Sequence, residues 1–442
     1  MAYKRAARLK RCFGVILICA GMLINPISVS AFATTDGQIS DRFYLVVLWG
    51  CSLASILWGV INLLFFRYRL ISRLNLLLVS LLFVSPILVE IGLRFAIMGR
   101  VLAICNPSHF ANSSEDVFWK LQYLWHGKLA SPETEYARDP VLGWAPRPTP
   151  RNPLGIIADD YLPVSHDGPV LFYGDSFVEG HVPMPAKIPQ QLGSLLPDYA
   201  VYNYGVKGYG LDQILLRLQA SASQFHEPTI IVGITTDDID RCLLKFRGAP
   251  KPYFQIKDHA LVLRGVPITD TPSDWLDQHP PEITSYLHAF VLHRYRIYRS
   301  QDWLDVNYRR EEQRELCELL IRELVRIPRA MGREPLFVVF YSPPEFDRTG
   351  WREKLLCEEL SSHNARVIDT KPILLSSADR ESVEIMEYYF ASNWHLNARG
   401  NAIVARAVAD ALTNWVDLTP AANDDVSEYV PEVTTGNRGT AP

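Results

Sequence analysis

Three short stretches of the chain place glycine beside residues that can perform nucleophilic chemistry. The first is VLFYGDSFVEG, residues 170–180, in which an apolar run ends in Gly-Asp-Ser with Ser176 as the serine. The second is NYGVKGYGLDQ, residues 203–213, whose three glycines let main-chain N–H groups approach a ligand. The third is NWHLNARGNA, residues 393–402, which contains His395. A serine hydroxyl activated by a histidine is a nucleophile for acyl transfer, although Gly-Asp-Ser after a strand is also typical of a turn that caps a helix.

This combination resembles the SGNH, or GDSL-type, hydrolase family over roughly residues 169–415. The resemblance implies that Ser176 is the nucleophile and that His395 is its base. It also implies an oxyanion donor in the second stretch, for which Gly208 fits best and Gly205 is the fallback. The implied reaction is attack of Ser176 Oγ on an ester carbonyl, while the N–H groups of Ser176 and Gly208 stabilise the oxyanion.

The stretch after a third apolar run departs from the family's pattern. The pattern expects an asparagine that donates to the oxyanion, but residues 230–241 read IIVGITTDDIDR. Alignment on Asp-Ile puts Asp237 in the place of the asparagine, whereas counting from the glycine puts Thr235 there. An ionised Asp237 would repel an oxyanion, while the hydroxyl of Thr235 or Thr236 could donate to it. The alternative is that Asp237 and Asp238 are solvated loop carboxylates or cap a helix.

The histidine also lacks its expected carboxylate partner. The family's aspartate lies two or three residues before the histidine, where this chain has Ser392 and Asn393. Asn393 could orient His395, as asparagine does in Cys-His-Asn proteases. A second hypothesis moves the carboxylate to residues 230–241, so that Asp237 supports His395 across the cleft.

The elements that must position these residues follow an α/β pattern. Short apolar runs such as PVLFYG, YAVYNYG, TIIVGI and PLFVVFYSPP alternate with amphipathic stretches between residues 168 and 417. Such runs are typical of parallel strands covered on both faces, so we expect a flavodoxin-like, doubly wound parallel sheet that binds its ligand at the carboxyl ends of the strands. Residues 241–310 interrupt the alternation, either as a cap over the site or as a surface excursion. Residues 418–442 have the composition of a disordered tail.

The N-terminal part has a different character. Residues 1–33 combine a basic segment with an apolar one and small residues at Ala31 and Ala33, which fits a signal peptide cleaved after Ala33 or a first membrane anchor. Residues 43–66 and 74–98 are predicted to be transmembrane helices, followed by a linker over residues 101–167. Arginines between the two predicted spans place the rest of the chain outside a bacterial cytoplasmic membrane by the positive-inside rule.

Composition narrows the classes of partner. A net charge of −4 argues against nucleic acid as the principal partner. No Cys or His spacing indicates a metal, and we expect no cofactor. A disulfide among the four cysteines of the predicted exported part and buried free thiols are both open; these are Cys105, Cys242, Cys317 and Cys357.

Together these features predict a membrane-anchored, extracytoplasmic serine esterase that removes an acyl group from a cell-envelope glycan or lipid. One alternative is an O-acyltransferase of the same fold, which would need a membrane acyl-donor protein as its partner. The other alternative is an SGNH domain that has lost catalysis and serves as a glycan-binding or scaffold protein, which the replacements at Asp237 and Asn393 favour.

Overall fold

The computed structural model describes residues 2–23, 25–28, 42–65, 68–127, 132–158, 168–299 and 311–414. The chain divides into two compact units, Met1–Gly99 and Arg100–Pro442. Ala33 and the predicted C-terminal tail lie outside the described residues.

The first unit is helical. Its long helices are α1 (Ala2–Leu23), α2 (Arg42–Leu64) and α3 (Arg69–Met98). Helices therefore occupy both regions that we predicted to be membrane spans. Within the described part of the chain, however, no helix combines the length and the apolarity that crossing a bilayer requires, so the predicted spans find no support.

The second unit alternates strands and helices. Its strands are β1 (Ala137–Asp139), β2 (Gly143–Ala145), β3 (Val170–Gly174), β4 (Val201–Gly205), β5 (Thr229–Thr235), β6 (Tyr253–Lys257), β7 (Ala260–Arg264), β8 (Leu336–Phe340) and β9 (Arg366–Asp369). Its helices are α4 (Asp116–His126), α5 (Ser176–Glu179), α6 (Ile188–Leu195), α7 (Leu211–Ser221), α8 (Thr236–Arg241), α9 (Pro272–Gln278), α10 (Tyr286–Arg299), α11 (Glu311–Ala330), α12 (Trp351–Ser362), α13 (Thr370–Glu381) and α14 (Ala398–Thr413).

Five strands form a parallel sheet in the order β4-β3-β5-β8-β9. Numbered by their succession within the sheet, the order is 2-1-3-4-5, which is the flavodoxin-like, doubly wound arrangement that the sequence predicts. The order reverses between β3 and β5, and a ligand is expected in the crevice beyond the carboxyl ends of these two strands.

Alternate side chains of β3 enter two different hydrophobic cores. Leu171 and Tyr173 belong to the cluster that α7, α11 and α12 cover. Val170 and Phe172 belong to the opposite cluster, beneath α6, α13 and α14. All five residues of β3 are buried, as expected of a central parallel strand with helices on both faces.

The region predicted as a linker, residues 101–167, contributes structure to the second unit. It contains α4 and the antiparallel pair β1 and β2. Trp144 in β2 is fully buried, and its indole Nε1 donates to the Lys207 carbonyl at 3.0 Å. The prediction of a simple linker is therefore wrong for this part. The irregularly spaced aromatic residues lack helical periodicity because they fill individual positions in the core.

The insertion, residues 241–310, contains a hairpin that packs against the core of the second unit. The hairpin β6–β7 packs partly buried apolar residues, among them Phe254 and Leu263, against the core cluster that includes α11. Cys242 and Cys317 are buried free thiols whose Sγ atoms lie 3.6 Å apart.

Candidate active site

The turn after β3 presents Ser176 as the first residue of α5. A side chain at Gly174 would collide with Val178 and approach the Gly233 carbonyl oxygen, so glycine is required where the chain turns. Asp175 caps the helix by accepting from the Phe177 N–H at 2.9 Å. Both the turn and the cap that the sequence allowed are present, and they leave Ser176 at the carboxyl edge of the sheet.

His395 meets Ser176 at this edge. Its Nε2 atom lies 2.9 Å from Ser176 Oγ, although 219 residues separate the two along the chain. His395 sits in the loop before α14, whose first turn is capped by Asn397. The preceding residue, Trp394, has a positive φ of 59°, which bends the loop tightly ahead of the histidine.

A main-chain carbonyl sets the tautomer of the histidine. His395 Nδ1 lies 2.9 Å from the carbonyl oxygen of Asn393. Because a carbonyl oxygen can only accept, Nδ1 carries the proton and Nε2 is left as the acceptor of the Ser176 hydroxyl hydrogen. The Asn393 side chain also contributes, since its Oδ1 accepts from the His395 N–H at 3.1 Å. Asn393 thus contacts the histidine as predicted, but the ring nitrogen is held by the main chain instead of the side-chain amide.

The two other residues predicted to support His395 do not contact it. Asp237 is 64% exposed, and its carboxylate lies 4.0 Å from Arg241. The hypothesis that Asp237 supports His395 across the cleft is therefore wrong. The reason is the capping box of α8, in which Asp238 instead of Asp237 turns inward to accept from the Thr235 N–H at 2.9 Å. Ser392 is exposed and makes no hydrogen bond to His395 in the described part of the chain.

A buried charge cluster lies next to Ser176. Arg241 Nη1 contacts Asp175 Oδ2 at 2.7 Å, Asp238 Oδ1 at 2.6 Å and the Tyr209 carbonyl oxygen at 3.2 Å. The guanidinium thereby joins the ends of β3 and β5 to the glycine-rich stretch after β4. Both carboxylates are fully buried, so Arg241 is their main source of compensating charge.

The two aspartates of this cluster respond in opposite directions. Burial raises the pKa of Asp175, but the adjacent Arg241 and the Phe177 N–H lower it more, and the net shift is downward. For Asp238, burial and the negative charge of Asp175 raise the pKa well above its usual range despite Arg241. Asp175 is thus the ionised member, and its Oδ2 lies 3.3 Å from Ser176 Oγ.

The environment of His395 keeps it neutral. Burial lowers its pKa, and the charge of Asp175 and the Asn393 carbonyl only partly oppose this shift. The ring of His181 packs on the His395 ring with centroids 3.9 Å apart. Burial and the neighbouring His395 lower the pKa of His181 to about 4. A neutral imidazole is the form that can take the serine proton.

The predicted oxyanion donors fall into two groups. The N–H groups of Ser176 and Gly208 donate to no acceptor in the described part of the chain, which leaves them available. The fallback, Gly205, is not available, because its N–H donates to Asn203 Oδ1 at 3.0 Å. Gly205 is glycine for another reason, since a side chain there would collide with the main chain at Glu179.

Neither threonine hydroxyl can replace the missing amide. Thr235 Oγ1 donates to Asp175 at 3.2 Å, and Thr236 Oγ1 donates to Glu345 at 2.6 Å. A hydroxyl has one hydrogen, so both are already used by carboxylates. The prediction that Thr235 or Thr236 donates to the oxyanion is therefore wrong.

Comparison with solved structures gives low similarities. The crystal structure of a member of the lipolytic protein G-D-S-L family from Veillonella parvula DSM 2008 is 15% identical, with 57% of this chain and 100% of that chain covered and a TM-score of 0.31. LAE5, an alpha/beta hydrolase enzyme from the metagenome of Lake Arreo, Spain, is 12% identical, with 56% and 95% covered and a TM-score of 0.33. CEX, a two-domain esterase active on acetylated mannans, is 11% identical, with 59% and 54% covered and a TM-score of 0.30. No family model and no curated protein matches the chain.

Proposed function

We propose that the second unit is a serine esterase that works through an acyl-serine intermediate. The observation that carries the proposal is the 2.9 Å contact between Ser176 Oγ and His395 Nε2, together with the carbonyl of Asn393 that fixes the proton on Nδ1. This is the nucleophile, base and orienting acceptor that acyl transfer requires.

The proposed reaction proceeds in two halves. Ser176 Oγ attacks the ester carbonyl carbon as its proton passes to His395 Nε2, and the carbonyl oxygen becomes an oxyanion near the N–H groups of Ser176 and Gly208. Collapse of this intermediate releases the alcohol, which receives the proton from the imidazolium. Water then attacks the acyl-serine with His395 again as base, releasing the acid and restoring the serine.

The negative charge that stabilises the imidazolium has a different source from the expected one. Asp175 is ionised, buried and directly before the nucleophile, and its charge raises the pKa of His395 without a hydrogen bond between their side chains. A through-space carboxylate is weaker than a hydrogen-bonded one, so we expect a modest turnover.

Reaction with a fluorophosphonate probe tests the proposal. We expect the probe to label Ser176 in the parent protein, and peptide mapping identifies the labelled residue. Ser176→Ala should abolish labelling and the hydrolysis of p-nitrophenyl acetate. Ser194, an exposed serine that donates to the Gln190 carbonyl, provides the matched control Ser194→Ala, which should leave both unchanged. Absence of labelling in the folded parent protein would favour the alternative of a binding domain without catalysis.

The acylated glycan or lipid substrate, the extracytoplasmic location and the O-acyltransferase alternative stay predictions from the sequence. Labelling of Ser176 is expected for hydrolase and transferase alike, because both form the acyl-serine.

A further inference from the structure

An arginine from the start of the insertion lies directly over the oxyanion glycine. A Cβ atom added to Gly208 would collide with Nη1 of Arg247, so the guanidinium occupies the side of Gly208 where any other residue would project its side chain. Gly208 has a φ of 78°, a left-handed conformation that also favours glycine. The Arg247 guanidinium can therefore lie against the main chain of Gly208 only because residue 208 has no side chain.

The surrounding main chain ties Gly208 to the nucleophile's strand. The Val206 N–H donates to the Gly174 carbonyl at 3.1 Å. The Tyr209 carbonyl accepts from Arg241, which also holds Asp175. The residues on either side of Gly208 are thus anchored to the turn that presents Ser176.

The Arg241 guanidinium is paired with carboxylates, whereas the Arg247 guanidinium lies against an aromatic ring. Arg241 contacts two buried carboxylates, whereas the Arg247 guanidinium stacks on the Trp119 ring, 4.5 Å from its centroid. Its Nε atom is buried and has no hydrogen-bond partner among the described residues. Burial and the nearby Arg241 lower the pKa of Arg247, against the opposing charges of Asp175, Asp237 and Asp238. Such a cation is stabilised by any negative charge that forms next to it.

The candidate oxyanion site lacks the side-chain donor that the family pattern places there. The family pattern supplies a side-chain amide from the stretch that corresponds to residues 230–241, but here both threonine hydroxyls are used by Asp175 and Glu345. Two main-chain N–H groups remain, those of Ser176 and Gly208. We propose that the Arg247 guanidinium is the additional donor to the oxyanion and takes the role of the missing amide.

This inference rests on the proposed function and assigns one more residue to the same step. As Ser176 Oγ bonds to the ester carbon and its proton moves to His395, the carbonyl π pair moves to oxygen. The new negative charge forms beside Gly208, where the N–H groups and the fixed guanidinium stabilise it. When the tetrahedral intermediate collapses, the charge leaves with the alkoxide, which takes the proton from the imidazolium. Arg247 stays protonated throughout and exchanges no proton.

The test compares steady-state kinetics of Arg247→Met, Arg247→Lys and the parent protein on p-nitrophenyl acetate, which has no anionic group. Arg247→Met keeps an unbranched apolar stem and removes the charge, the donors and the guanidinium that stacks on Trp119. We expect kcat to fall by about a hundredfold or more with little change in KM, as for loss of one oxyanion donor. Arg247→Lys keeps a cation, so its kcat should lie between those of the parent protein and Arg247→Met.

Arg217→Met is the matched control. Arg217 also lies over an aromatic ring, 5.3 Å from the Tyr204 centroid, but donates to the Gly155 carbonyl. We expect its kcat to match the parent value. Thermal unfolding of each variant shows that it is folded. If Arg247→Met misfolds, the comparison of folded Arg247→Lys with the parent decides, and an unchanged kcat overturns the inference.

Two outcomes overturn the inference without touching the proposed function. One is a parent-like kcat in Arg247→Met while Ser176→Ala is inactive. The other is a defect confined to KM for esters that carry a carboxylate, which would make Arg247 a binding site for a substrate anion. Inactivity of the parent protein itself would instead contradict the proposed function.

Discussion

Individual atoms decide how the histidine works. His395 Nδ1 donates to the carbonyl oxygen of Asn393, a main-chain group that is present whichever side chain residue 393 carries. The tautomer of His395 therefore does not depend on a carboxylate. The charge that favours the imidazolium comes from Asp175 through space. For the proposed esterase, we therefore expect base catalysis by His395 with weak electrostatic support from Asp175.

Replacement of the Asn393 side chain tests this arrangement. Asn393→Ala removes the acceptor of the His395 N–H but keeps the carbonyl that binds Nδ1. We expect kcat on p-nitrophenyl acetate to fall less than about tenfold, compared with about 10⁴ for loss of the orienting group of a serine triad. A loss near the larger value would mean that the side-chain amide, and not the main chain, orients the ring.

The pH dependence follows from the lowered pKa of His395. The unprotonated imidazole is the base, so activity is retained above the folded-state pKa and lost as the pH falls through it. Because burial lowers that pKa, the acid limb of kcat/KM should lie below the ordinary histidine value of about 6.5. A pH profile with its midpoint at or above that value would contradict the assigned environment.

The elements around the site are joined by one side chain. Arg241, at the end of α8, bonds to the turns after β3 and β4 and to the first turn of its own helix. Hydrogen bonds of this kind fix the relative positions of three strand ends, and hence of Ser176 and Gly208. Arg241 contributes to the site by positioning it.

Loss of this link should destabilise the second unit. Arg241→Met leaves Asp175 and Asp238 buried without their cation, which is expected to lower the free energy of unfolding by about 3 to 5 kcal/mol in urea titrations. Arg314→Met is the control, because Arg314 is 55% exposed and pairs with Glu318 one helical turn away. Its effect should stay below about 0.5 kcal/mol. Equal effects of the two substitutions would show that Arg241 is not the link described.

Local signals predicted the strands and the position of Ser176 directly after β3, but not the partners that the fold brings to it. The glycine and serine after β3 were predictable because a buried apolar run and its turn lie within a few residues. The role of Asp238 was not, because the capping box depends on where α8 begins, and a shift of one residue exchanges an exposed for a buried side chain. Arg241 and Arg247 were missed because their partners lie 66 and about 40 residues earlier in the chain.

The whole molecule divides at Gly99, well before the domain start near residue 168 that strand patterns predicted. Tyr136 and Trp144, in the intervening region, are buried in the core. Tyr136 also donates to Glu179 in the nucleophile's helix at 2.6 Å. The described residues before β3 are thus part of the second unit.

Truncation tests this boundary. We expect residues 100–442, expressed alone, to fold and to hydrolyse p-nitrophenyl acetate, because the core and the site are both contained in them. Residues 168–442 should be markedly less stable, since Trp144 and Tyr136 would be missing from the core. Equal thermal stability of the two fragments would contradict the assignment of residues 100–167 to the second unit.

Acylation of Ser176 with His395 as the base can be measured directly. The protein is mixed with p-nitrophenyl acetate and quenched rapidly with acid, and the peptide that contains Ser176 is analysed by mass spectrometry. We predict that an acetyl group forms on Ser176 in the parent protein. It should form at the same rate in Asp237→Asn, because the Asp237 carboxylate of the parent protein is exposed and does not contact His395. In His395→Ala the acetyl group should form far more slowly. Acetylation of another residue, or of Ser176 at an undiminished rate without His395, would contradict the mechanism.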